Sequence, residues 1–229
     1  MFNKITIIGC GLIGSSLARA IKKNNLTETL VVVDKDEASR AQIQTLGFAD
    51  RVMEDAAAAV ANADVVVLGV PVGAFEAVLN EIKDHVMEGA IITDVGSTKQ
   101  KVLSAMQDIL PSHVHVIPGH PIAGAENSGP TAGSATLFQD RWLILTPPKD
   151  TDQDALLRLK AMWETCGAMV EVMDTHHHDE VLAVTSHLPH LIAFSMIKTA
   201  ADLEEETTKE IIQYSAGGFR DFTRVAASD

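Results

Sequence analysis

Short apolar runs alternate with segments of helical period along most of this chain. Residues 5–8, 30–33, 65–70, 90–95 and 114–118 are runs of strand length, and 12–22, 37–46, 75–85 and 99–109 between them repeat their apolar positions as helices do. A strand that reads as a continuous apolar run is covered on both faces. Such strands joined by helices form a parallel sheet with helices on either side. Ligands of these sheets bind beyond the carboxyl ends of the strands. Three of the ends carry distinctive residues: Val70-Pro71, Gly96-Ser97 and Gly119-His120. Two further runs, 142–146 and 169–173, flank a helix over 154–165. From about Thr175 the pattern changes. Val181, Val184, Leu188, Leu191, Ile192 and Met196 keep a helical period, Pro189 should kink it, and no strand follows. The stretch 119–133 is rich in Gly, Pro, Ser and Ala, and is long enough for a connection to be functional or mobile.

The first run leads into Ile7-Ile8-Gly9-Cys10-Gly11-Leu12-Ile13-Gly14, and the second ends at Asp34, twenty positions after Gly14. Glycines at this spacing between strand and helix, with an acid at the end of the next strand, are the dinucleotide-binding fingerprint. Gly9 permits the tight turn, Gly11 lets backbone approach a pyrophosphate, and Gly14 lets the helix pack close to the strand. Leu12 and Ile13 open a helix whose free N–H groups face the phosphates. Asp34 can accept from a ribose 2′-OH and repels a 2′-phosphate. NAD is therefore expected over NADP, with the neighbouring Lys35 leaving the strictness open. Val70 and Pro71 complete the cofactor side. The fold expected is α/β: a Rossmann-type, mostly parallel sheet over 1–174 and a second, all-α domain over 175–229. About 50 helical residues are few for an independent domain. Either a partner subunit completes them or the chain is truncated at its C-terminus.

A net charge of −13 leaves no basic face for nucleic acid. The two cysteines, Cys10 and Cys166, form no C-x-x-C, and Cys10 lies inside the glycine loop, so a reducing cytoplasm is expected. The start of the chain lacks the apolar core of a signal peptide and reads as a strand. No segment reads as a membrane span.

His120, in Pro118-Gly119-His120-Pro121-Ile122-Ala123-Gly124, follows a strand directly and is placed to take a proton from an alcohol. Ser97, at the neighbouring strand end, could hold that imidazole or a substrate hydroxyl, or cap the helix that follows. His187 and His190 lie near one face of the second-domain helix and suggest the wall of a site, or else are core histidines bonded to backbone carbonyls. His176, His177 and His178 fan around a helix start without a common metal-facing geometry, so no metal is expected. Arg220 and Arg224 share a helix face. Either guanidinium could clamp a carboxylate or join a surface ion pair.

Together the fingerprint, Asp94-Val95-Gly96-Ser97-Thr98-Lys99, Gly119-His120-Pro121-Ile122-Ala123-Gly124, Ser186-His187-Leu188-Pro189-His190 and the block from Gly217 to Arg224 resemble the prephenate dehydrogenase family, which includes arogenate and cyclohexadienyl dehydrogenases of tyrosine biosynthesis. The resemblance implies NAD-dependent oxidative decarboxylation of prephenate, or of arogenate, by a homodimer joined through its C-terminal helices. It implies that His120 is the catalytic histidine on the ring hydroxyl, Ser97 its partner and His190 a second active-site histidine. Arg224 would bind a substrate carboxylate, and Glu126 would lie near the substrate pocket; His187, from its place on the helix face, is expected on the substrate side as well. Two other readings stay open. One is a non-catalytic NAD-binding regulatory module. The other is a β-hydroxyacid dehydrogenase, which would need a lysine where this helix offers histidines, with Lys198 further along.

Overall fold

The computed structural model describes residues 1–125, 127–203, 205–214 and 216–224 of the chain. Six strands build the main sheet: β1 (Phe2–Ile8), β2 (Thr27–Val33), β3 (Arg51–Met53), β4 (Val65–Leu68), β5 (Ile91–Asp94) and β6 (His115–Val116). Their order is β3-β2-β1-β4-β5-β6 and every neighbouring pair is parallel. The helices between them are α1 (Leu12–Lys23), α2 (Glu37–Leu46), α3 (Ala56–Val60), α4 (Phe75–Ile82) and α5 (Gln100–Ile109). Successive side chains point to opposite faces, and both faces are covered. Ile5, Ile7, Leu30, Val32, Val65 and Val67 join one core, whereas Ile8, Val31, Val33, Val66 and Leu68 join the other. That is why these strands read as unbroken apolar runs. The strand order reverses between β1 and β4, which opens a crevice at their carboxyl ends.

A second sheet follows: β7 (Gly119–Pro121), β8 (Trp142–Leu145) and β9 (Met169–Val172), with α6 (Gln153–Thr165) between β8 and β9. β7 pairs antiparallel and β9 parallel with β8. Here the expectation of one strand over 114–118 is corrected. The Ile117 N–H still bonds Ile92 O at 2.9 Å, but Pro118 has no N–H to continue the ladder. The chain leaves the main sheet there, and His120 pairs with Ile144 in the second sheet. His120 thus lies inside β7, not at the end of a strand of the main sheet.

Helices α7 (Thr175–Leu182), α8 (Leu188–Ala201), α9 (Glu205–Tyr214) and α10 (Gly217–Arg224) make up the rest. A π-helical turn, Ala183–His187, joins α7 to α8 just before Pro189, with the Leu188 N–H donating to Ala183 O, and Thr175–Ala201 runs as one helix. By length and composition alone that helix could cross a membrane, its most apolar stretch having mean hydropathy 1.3. This corrects the expectation that no segment approaches a span. The histidines and Pro189 interrupt the apolar run in the sequence but not the helix. By its contacts the chain divides into two units, Met1–Gly124 with Ser128–His178, and Ala125–Asn127 with Asp179–Asp229.

Candidate active site

The glycine loop joins β1 to α1 in the crevice. Gly9 has φ +91°, and a Cβ there would lie 2.6 Å from Val70 N. A Cβ on Gly14 would lie 2.2 Å from Gly9 O, so α1 rests directly on the loop. Nothing stands within 4 Å of the position a Gly11 Cβ would take. Gly11 is the N-cap of α1 and offers no side-chain cap, so the N–H groups of Leu12 and Ile13 stay available to a ligand. Asp34, just past β2, is tied to this loop: one carboxylate oxygen accepts the Cys10 N–H at 3.0 Å and the other the Asp36 N–H at 3.0 Å. Lys35 is 71% exposed and pairs with Glu81 at 3.3 Å. Half-buried Val70 and exposed Pro71 follow β4 and lead into a 3₁₀ turn, Val72–Ala74. An open backbone cradle at a helix start, with a carboxylate bound to its rim, fits a dinucleotide. Burial, and then Asp34, push the Cys10 thiol up to about 12, so this thiol in the loop is a neutral packing group.

A buried ion pair fixes the other two loops. Asp94 ends β5 and Lys99 precedes α5, and both side chains are 0% exposed. Lys99 Nζ donates to Asp94 Oδ2 and, at 2.7 Å, to Gly119 O. Asp94 Oδ1 accepts the Gly119 N–H at 3.1 Å, and Oδ2 accepts the Gly96 N–H at 2.7 Å. The pair therefore holds the residue before His120 by both its backbone groups and the residue before Ser97 by its N–H. Burial pushes the Asp94 carboxyl above its usual range, against the pull of Lys99 and the two N–H donors. Ser97 itself is exposed, and the N-cap position of α5 is Lys99, whose side chain makes no cap hydrogen bond.

His120 is 9% exposed, and its Nδ1 lies 2.8 Å from Nε2 of His178, which is 0% exposed. Asp174 sets the start of α7 by accepting the His176 N–H at 2.8 Å. His178 thereby falls on the buried side of α7, one turn before Leu182. The three histidines do not act alike, and His178, Asp94 and Lys99 had been given no role by the sequence reading. A signal existed for two of them. An acid closing a strand that reads as buried needs a partner, and a helix beginning after Asp174 puts positions 178 and 182 on one face.

In the second unit, His190 Nδ1 lies 2.8 Å from Ser186 O, and the Nε2 of half-buried His187 has no hydrogen-bond partner among the described residues. Arg224 is exposed at the end of α10, which packs on α8. Glu126 and the side chain of Arg220 lie outside the described residues.

Residues 17–172 match the family described as prephenate dehydrogenase, nucleotide-binding domain, and residues 174–229 match prephenate dehydrogenase, dimerization domain. The chain belongs to the prephenate dehydrogenase family. It is 45% identical to a cyclohexadienyl dehydrogenase of Zymomonas mobilis, over all of this chain and 78% of that protein. It is 36% identical to a prephenate dehydrogenase of Bacillus subtilis, over all of this chain but 62% of that one. Among solved structures, prephenate dehydrogenase from Aquifex aeolicus in complex with hydroxyphenyl propionate and NAD+ superimposes with a TM-score of 0.90 at 33% identity, covering all of this chain and 79% of that one. Synechocystis arogenate dehydrogenase gives 0.80 at 26% identity, over 99% of this chain and 80% of that one.

Proposed function

We propose that this chain catalyses the NAD-dependent oxidative decarboxylation of prephenate to 4-hydroxyphenylpyruvate, the dehydrogenase step of tyrosine biosynthesis. Bound NAD supplies the acceptor for the hydride that leaves the carbon bearing the ring hydroxyl. The first N–H groups of α1 hold the pyrophosphate, Asp34 holds the ribose, and Val70 and Pro71 close the cofactor side. With Lys35 engaged by Glu81, the carboxylate of Asp34 dominates the rim and favours NAD over NADP. His120 takes the hydroxyl proton at Nε2, because its Nδ1 is occupied by His178. Ser97 orients the same hydroxyl. By their family motifs, His190 and His187 serve the substrate side, Arg224 pairs with a substrate carboxylate, and Glu126 belongs to the pocket. The ring carboxylate departs as carbon dioxide and the ring becomes aromatic. Aromatisation supplies the driving force, so the protein's task is to position the reactants and remove one proton. The buried imidazole of His120, fixed through Gly119 on one side and His178 on the other, is the observation that best supports this chemistry. Two free, buried thiols accord with a cytoplasmic enzyme, and the dimerization-domain match accords with a homodimer.

The 45% identity to a cyclohexadienyl dehydrogenase favours a second reading, in which arogenate is also accepted. Absorbance at the reduced-nicotinamide band, with prephenate and arogenate supplied separately, distinguishes the two. In the same assay His120→Asn should fold and bind NAD but lose roughly two to four orders of magnitude in turnover. Near-normal turnover by that variant would remove His120 from the chemistry.

A further inference from the structure

We infer that His178 is a positioning residue that fixes the tautomer of His120, and with it the basic lone pair. The inference rests on the reading of His120 as the proton acceptor. His120 Nδ1 and His178 Nε2 are 2.8 Å apart, with ring centroids at 5.1 Å and planes 62° apart. At that distance one proton lies between the two nitrogens. Two N–H groups would collide, and two lone pairs would repel. A neutral imidazole carries one N–H. If His178 donated it, His120 would have to carry its own proton on Nε2 and could not act there as a base. If His120 donates from Nδ1, its Nε2 keeps the lone pair.

The second arrangement serves throughout the proton transfer. Once Nε2 takes a proton, His120 becomes an imidazolium whose Nδ1–H still donates to neutral His178, now as a charge-assisted bond. No proton moves between the rings and nothing else must rearrange. His178 thus fills the place that a carboxylate holds behind the histidine of a Ser-His-Asp triad, where the wrong tautomer costs about 10⁴-fold in turnover. A neutral acceptor does this without burying a further charge. Burial of His178 and the Asp174-capped start of α7 hold the accepting nitrogen in place.

The test compares the full chain with His178→Gln, which keeps a polar atom near the position of Nε2, and with His178→Leu and His178→Met, which do not. Nitrogen-15 spectra of labelled histidine should show His120 protonated on Nδ1 in the parent protein. His178→Leu should lower kcat with prephenate by about 10²- to 10³-fold, leaving the Michaelis constant and NAD affinity within about threefold. His178→Gln should recover most of that loss. His178→Met replaces the leucine variant if the latter melts early. His120 protonated on Nε2, or folded Gln and Leu variants equally active or equally impaired, would overturn the inference. A parent protein that turns over no cyclohexadiene substrate would instead overturn the proposed function, while the nitrogen-15 spectra still decide the role of His178.

Discussion

At the scale of single residues, Lys99 and Asp94 show how much of the loop arrangement depends on wholly buried side chains. Neither is exposed, and together they hold Gly96 and Gly119 in place. Removing one member of a buried pair leaves the other charge without compensation, at a cost of about 3–5 kcal/mol. Lys99→Met should therefore lower stability to urea by that order, and Lys99→Met with Asp94→Asn should recover part of it because both charges are gone. A single variant within about 1 kcal/mol of the parent would mean that the pair is dispensable. The residues most legible in the sequence were those whose meaning is local. Gly9, Gly11, Gly14 and Asp34 stand at fixed intervals within one βαβ unit. Lys99 reaching Gly119 and His178 reaching His120 are contacts across 20 and 58 positions, and no period or spacing encodes them.

At the scale of elements, the long apolar strands were legible because both their faces are buried. The three-residue strand β3 was not, since a segment so short shows no period, while the two-residue β6 falls inside the run 114–118 and was overextended there. The division of 114–121 between two sheets turns on Pro118, whose missing N–H was visible but whose consequence needed β8 as a partner. The β1–α1 element allows a sharper test, because its glycines serve different ends. Gly11→Ala meets nothing within 4 Å and lies at φ −68°, so the protein should fold with near-parent stability. Its new methyl would stand where a pyrophosphate must approach, so NAD affinity should fall by an order of magnitude or more, about 1.4 kcal/mol per factor of ten. Gly14→Ala drives a Cβ to 2.2 Å from Gly9 O and must displace α1. Stability and NAD affinity should then fall together, with overpacking costing about 1–3 kcal/mol. Thermal melting and calorimetric titration of both variants separate the two effects. Equal melting temperatures would refute the packing role of Gly14, and unchanged affinity in Gly11→Ala would place the pyrophosphate elsewhere.

At the scale of the whole molecule, the second unit presents apolar surface that its own helices leave uncovered. Val184, Leu188, Leu191 and Phe194 are 66, 47, 64 and 51% exposed and follow one another at helical spacing. On the same helix Ile192 and Met196 join Ile211 and Phe219 around an open cavity of about 530 Å³. Isolated exposed apolar residues are ordinary, but a contiguous stripe marks a contact surface. Residues 174–229 match a domain described as a dimerization domain, which is the ground for expecting a second copy of the chain on this stripe. A symmetric pair would bring the same stripe together twice about its axis, each large side chain gaining about 1.5–3 kcal/mol from burial. Light scattering over a range of concentrations should therefore give twice the mass of the single chain. Leu191→Glu and Phe194→Glu should each shift the equilibrium towards monomer by at least about tenfold, since burying a carboxylate at an apolar contact is costly. Both variants should keep their NAD affinity, because the glycine loop and Asp34 belong to the other unit. A parent protein that remains a monomer at every concentration would overturn self-association through this helix. Loss of NAD binding on dissociation would show that the first unit depends on the pairing of the second.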